Sequence, residues 1–391
     1  RDADVSIPVM TPDEARDIAR LGGRAATGIA GLVEHTHHGI TERVYRTVGR
    51  LTGGASRPIH ATHDLVARHT FFWVQRGLEA GAWAAQVIAA RAMGEDRGSR
   101  SGLDGVRAQL ALGIVNGVTG DRLAADASTL AIPMSLRHEG RDVAPTAEGL
   151  RAAYGMGHER IVVFVHGLVE TEHAWRFRSR QRWGEAGVSY ASQLAADTDW
   201  VPLMVRYNSG APIPANADAF ADLLGEVVRC WPGPLREVVI VGHSMGGLVA
   251  LRALAHGDAA WTRAVRAVIT VGSPREGAPL ERFAVVAEEV AESSGHGRWF
   301  GGLVGMRSDG IRDLRHPIDH PPLPDWVQEY AVLATLTPDS WHPAVPRVGD
   351  GLVPVPADPS EHTVVVTGLH HLDLLNHPSV YAQLRAWLDP E

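Results

Sequence analysis

The chain has no lysine: all 37 of its basic residues are arginine. Chemistry that needs a side-chain amine, such as Schiff-base catalysis, pyridoxal phosphate attachment or a phosphate-loop lysine, is therefore excluded. Cysteine is almost as scarce. A single one, Cys230, can form neither an intrachain disulfide nor a cysteine-rich zinc site, and its place late in a helical pattern predicts a core residue. Basic blocks are missing too. The formal charge is −8 at pH 7, which argues against nucleic acid as a partner, because phosphate binding needs a basic excess. Long apolar runs are also lacking; the longest, near residues 80–90, falls short of the roughly 20 residues that span a bilayer. No signal peptide is visible either. A cytoplasmic or cell-associated location is the expectation, although the sequence starts at Arg1 rather than Met.

What is present centres on residues 238–247, VVIVGHSMGG. A β-branched apolar run leads into Gly242-His243-Ser244-Met245-Gly246, and a helix-like segment follows at once. Strand, tight turn with a serine, then helix is the order of a nucleophile elbow, in which Ser244 is held up on a strained turn. With 42 glycines and 18 serines in 391 residues, chance alone gives roughly 0.2 G-x-S-x-G matches, so the pentapeptide needs its context.

At this length, one large domain with an accessory one is expected. Residues 1–130 read as helical. Thr11-Pro12-Asp13-Glu14 is a helix start, and Val66, Trp73, Ala80, Ala84 and Val87 form a helical stripe. Leu103, Val106, Leu110 and Ile114 open a further helix. The same region holds Glu34, His35, His37 and His38, with His60, His63 and His69 downstream. The i, i+3 spacing would suit a metal, but no carboxylate pattern supports one, and polar-face histidines are the plainer reading. No metal and no cofactor are expected.

From 131 to 391 the pattern becomes strand–helix alternation. Apolar runs at 161–165, 201–205, 238–241, 264–271, 330–335 and 363–366 read as strands, with helices at 190–196 and 218–228. Such alternation predicts an α/β fold with a mostly parallel, doubly wound sheet and its active site at the carboxyl ends of the strands. Residues 275–325 are too long for a simple crossover. Glycines around Trp299, Phe300, Leu303 and Met306 predict either a lid over the site or an extra packed helix pair.

A serine nucleophile needs a base, an acid and oxyanion donors, in the chain order Ser, Asp/Glu, His. Asp339, Asp350 and Asp358 follow the 330–335 strand, and the pair His370-His371 follows the last one. Asp339 lies nearer the strand end, whereas glycines on both sides of Asp350 suit a sharp turn presenting a carboxylate. For the oxyanion, the backbone amides of Leu168, after His166-Gly167, and of Met245 are the candidates. His166 itself reads as a residue that holds its loop by hydrogen bonds.

Residues 131–391 resemble the α/β-hydrolase serine lipases and esterases, and among them the GPI-inositol-deacylase-like lipases. The matching pieces are FVHGL at 164–168, GHSMGG at 242–247, GSPREGAPL at 272–280, GDGLVPV at 349–355 and HLDLLNHPSVYAQL at 371–384. The resemblance implies Ser244 as nucleophile, Asp350 as acid and His371 as base, with His370 the competing base. It implies ester hydrolysis, favouring lipid-like or medium-chain acyl groups, through an acyl-enzyme. Acyl transfer or thioester cleavage by the same triad is the enzymatic alternative, and a silent hydrolase-fold binding module the non-enzymatic one. A small-molecule or lipid ester is the expected partner, with peripheral contact to a lipid surface compatible with it.

Overall fold

The computed structural model describes residue 17 and residues 106–255, 260–278, 308–317, 322–339 and 345–389. The histidine group at 34–69, the apolar run near 80–90 and the lid residues Trp299, Phe300, Leu303 and Met306 lie outside these. So do the helices expected before residue 106, apart from residue 17. The chain divides into two compact units, and the second, containing Val106–Ala127, Ala131–Gly295 and Ser308–Glu391, holds the whole sheet.

Among the described residues eight strands form that sheet: β1 Ser135–His138, β2 Arg141–Val143, β3 Arg160–Val165, β4 Val201–Arg206, β5 Glu237–His243, β6 Val265–Val271, β7 Gln328–Thr335 and β8 Thr363–Thr367. Their order is β2-β1-β4-β3-β5-β6-β7-β8. Strands β3 to β8 run parallel, as the alternation predicts. The first two differ. They form an antiparallel hairpin, and β1 pairs antiparallel with β4. Strands of three and four residues are too short to show a hydrophobic period, so this edge is invisible to the alternation argument.

The centre of the sheet follows from composition. In β3 and β5 every residue after the first is buried, which is why both read as unbroken apolar runs covered on two faces. Strand β8, at the edge, is only half-buried throughout.

Helices cover the sheet: α1 Val106–Ala125, α2 Ala147–Tyr154, α3 Tyr190–Asp197, α4 Ile213–Cys230, α5 Met245–Ala255 and α6 Pro378–Leu388, with shorter turns between. Helix α4 buries Ile213, Asn216, Ala217, Phe220, Leu224 and Val227, a stripe at steps of three and four, and packs on α5. It begins five residues earlier than the sequence suggests, because proline is tolerated in a first turn. Cys230, at its end, is half-buried rather than in the core. Helix α1 packs within the sheet-bearing unit: the Asn116 side chain accepts the Ile132 amide at 2.9 Å, just before β1. Among the described residues no helix is long and apolar enough to cross a membrane.

Candidate active site

Ser244 sits between β5 and α5 with φ at 51°. A serine in the left-handed region is strained by roughly 1–3 kcal/mol, and such strain persists only where neighbours impose it. Here they do. The Ser244 amide donates to Val271 O at 2.8 Å, and Ser244 O accepts from Gly247 at 3.2 Å. The two motif glycines are required by contact. A Cβ on Gly242 would lie 2.4 Å from Gly247 Cα, and one on Gly246 would lie 2.3 Å from Val165 O. Side chains there would push α5 off β5 and β3. Met245, fully buried, opens α5 beside the serine, where the first-turn amides have no intrahelical carbonyl to bond.

The other wall is the loop after β3. A Cβ on Gly167 would come within 3.1 Å of Ser244 Cβ, which places the Gly167–Leu168 segment directly against the elbow. This loop is fixed at several points. Val169, itself at φ 60°, donates its amide to Ser209 Oγ at 3.0 Å. Helix α1 presses on it closely: a Cβ on Gly117 would sit 2.7 Å from the Val169 main chain. His166 behaves as a loop-holding residue. Its Nδ1 donates to Gly167 O at 2.9 Å while its Nε2 accepts the Tyr207 amide at 3.2 Å. Burial pushes its pKa down to about 4, against the opposing pull of the Gly167 carbonyl and of Glu170 and Glu172. That neutral ring is the form the two bonds require.

The late loops deliver a carboxylate and a histidine together. Asp350 Oδ2 lies 2.7 Å from His371 Nδ1, and both side chains are buried. Asp350 Oδ1 accepts the amides of Leu352 and Val353 at 2.9 and 2.7 Å. Flanking Gly349 and Gly351 take φ of 51° and 93°, the turn the sequence suggested. Burial would raise the Asp350 pKa, but the His371 charge, its hydrogen bond and the two amides together bring it below the usual carboxylate value. The His371 amide donates to Asp350 O at 3.0 Å, so main chain and side chain are tied at once. The ring lies against Gly272, where a Cβ would come within 3.2 Å of its Cε1. Gly272 follows Val271, the residue that holds the Ser244 amide, and this connects the pair to the elbow.

The rival candidates lie elsewhere. Asp339 and Asp358 are exposed. His370 Nε2 faces Asp373 Oδ2 at 3.1 Å and Arg178 at 3.0 Å. Two residues not foreseen from the sequence are near the elbow. Glu170 and His243 are buried and face each other, with Glu170 Oε1 3.0 Å from His243 Nδ1. A cavity of about 570 Å³ lies between the β1–β2 hairpin, α3 and the turn at Glu172–Arg176, and none of the residues singled out at the elbow lines it. Among the described residues no group of three or more His, Cys, Asp or Glu is arranged to hold a metal.

Residues 223–293, which include Ser244, match the family model of the PGAP1-like alpha/beta domain. With the sheet order above, the fold is that of the α/β-hydrolases, a fold that supports hydrolase activity. Among solved structures, the mature form of the lipase BlEst2 from Bacillus licheniformis is similar at 18% identity, covering 59% of this chain and 92% of its own, with a TM-score of 0.40. A thioesterase of the prodiginine pathway, RedJ from Streptomyces coelicolor, is similar at 19% identity, 59% of this chain, 89% of its own and a TM-score of 0.38. An esterase from Thermogutta terrifontis is similar at 14% identity, 60% and 90% coverage and a TM-score of 0.35. No curated protein sequence matches the chain.

Proposed function

We propose that this α/β-hydrolase, with its PGAP1-like domain across residues 223–293, is a serine hydrolase of carboxylic esters with lipid-like acyl groups. The observation that carries the reading is the 2.7 Å pairing of His371 Nδ1 with Asp350 Oδ2 next to a strained Ser244 turn. A carboxylate on Nδ1 fixes the tautomer whose Nε2 can take a proton, and it stabilises the imidazolium that results.

The reaction then runs in two halves. Ser244 Oγ attacks the ester carbonyl carbon while its proton passes to His371. The tetrahedral oxyanion is met by the backbone amides of Leu168 and Met245. Collapse breaks the bond to the alcohol, which leaves with the proton from His371. Water repeats the sequence on the acyl-enzyme, giving the acid and free Ser244. No cofactor is needed.

Purified wild type and Ser244→Ala, compared on p-nitrophenyl esters of rising chain length, test this. Ser244→Ala should lose at least about three orders of magnitude in kcat and all fluorophosphonate labelling while melting as a folded protein. A folded Ser244→Ala protein with near-wild-type turnover would overturn the triad. Each methylene buried by an acyl groove adds roughly 0.8 kcal/mol, or about fourfold in affinity. For a lipid-like substrate, kcat/KM therefore rises from acetyl towards medium chains; an optimum at acetyl would overturn that part alone.

A further inference from the structure

The buried carboxylate–histidine pair beside Ser244 takes no part in the reaction as drawn. Glu170 and His243 are 3% and 0% exposed. Glu170 works in two directions: its Oε2 accepts the Gly167 amide at 2.7 Å, and its Oε1 lies 3.0 Å from His243 Nδ1. On the far side of the ring, His243 Nε2 lies 3.3 Å from the main-chain oxygen of His371. The His243 and His371 rings are 4.8 Å apart.

Both ring nitrogens of His243 are thus turned to protein oxygens, one to the Glu170 carboxylate and one to the His371 carbonyl. Neither nitrogen is turned towards a substrate, which removes it as a base. Glutamate is rarely buried unless paired, and burying a carboxylate with a partner returns little stability compared with apolar side chains of the same size. Leucine-like packing would fill this space without desolvating a charge. What apolar packing cannot do is fix two main-chain segments at once. One end of the pair holds the amide of Gly167, one residue before Leu168. The other end reaches the main chain of His371. These segments lie on opposite sides of the elbow serine.

We infer that Glu170 and His243 are a positioning pair that ties the oxyanion loop to the backbone of His371 and so sets the distance between them across Ser244. The inference rests on the triad reading of Ser244 and His371. Neither residue touches the reacting atoms; both act through the groups they hold.

The test uses the full chain and three variants, Glu170→Gln, His243→Gln and the double. Turnover is expressed per serine titrated with fluorophosphonate, with KM and thermal melting measured alongside. Displacing a catalytic group by about 1 Å costs on the order of 100-fold, so each single variant should lose about 10- to 100-fold in kcat. KM should move less than about threefold, since substrate binding is left in place. The double should lose no more than the worse single, because the two act as one unit. Wild-type kcat per titrated site in both singles, or losses that multiply in the double, would overturn the pair. If Glu170→Gln yields no titratable protein, His243→Gln decides by the same readout. If neither yields any, the pair is structural and the inference falls. Ser244→Ala in parallel keeps the two readings apart. An active Ser244→Ala brings down the triad, whereas an inactive one beside fully active Glu170→Gln and His243→Gln brings down only the pair.

Discussion

Among the described residues three histidines lie around Ser244, and the two sides of the elbow use them differently. On the early side, His166 and His243 each have both ring nitrogens turned to protein groups: the Gly167 carbonyl and Tyr207 amide for one, Glu170 and the His371 carbonyl for the other. On the late side, His371 presents Nδ1 to a buried aspartate that is itself fixed by two amides. Nearness to the serine therefore does not select the base. What differs is the second nitrogen: His243 and His371 both give Nδ1 to a carboxylate, but His243 Nε2 is turned to the His371 carbonyl. The early histidines hold main chain in place, and the late one is held in place.

The comparison breaks most sharply on the late side. His371→Ala and Asp350→Asn should each lower kcat about 10³- to 10⁴-fold with folding retained, because one removes the proton acceptor and the other its orientation. Asp350→Asn also leaves a trace in stability. The folded pKa of Asp350 lies below its ordinary value, so its contribution is present above about pH 4 and lost as pH falls through the folded value. Acid melts of wild type and Asp350→Asn should therefore converge as the pH drops. Steady-state kinetics and melts between pH 3 and 7 check both outcomes, and turnover within tenfold of wild type in either variant would remove that residue from the triad.

An effect of intermediate size sharpens the early side. His166 has a folded pKa near 4, against about 6.5 unfolded. Between those values the unfolded chain binds more protons, so stability rises with pH. The contribution is complete above about pH 6.5 and drains away towards pH 4, on the order of 3 kcal/mol in all. Urea unfolding of wild type should show this slope. His166→Asn should flatten it while leaving kcat within about tenfold, which a base at that position would not allow.

Which parts of this could be read beforehand follows from how local each signal is. The strands from β3 onward announce themselves because buried parallel strands are apolar runs, and VVIVGHSMGG holds strand, turn and helix in one short stretch. The turn that carries Asp350 is legible through its two glycines. The choice between His370 and His371 is not, since adjacent residues point apart only once the Leu369–Leu375 segment has folded. Glu170 and His243 are 73 residues apart in the chain; their pairing exists only through the register of β3 beside β5. No local signal marks Glu170, because a buried glutamate in a post-strand loop and an exposed one are indistinguishable in sequence. The β1–β2 edge escapes for want of length.

The smallest effects belong to His370→Ala and Asp339→Asn, and they test whether adjacency to the site is enough. His370 is partly exposed and shares Asp373 with Arg178 and Arg182. Its loss leaves those two arginines on the carboxylate, and partly exposed pairs are worth about 0–1 kcal/mol. The turn at His371–Leu375 also keeps the main-chain bond from the Asp373 amide to His370 O at 2.9 Å, which alanine preserves. Asp339 is exposed in the loop after β7. Both variants should keep kcat/KM within about threefold of wild type and melt within a few degrees of it. A His370→Ala loss as deep as that of His371→Ala would mean that the outer histidine governs the inner one through Asp373. The division between holding and held histidines would then fail on the late side, where it is drawn between neighbours.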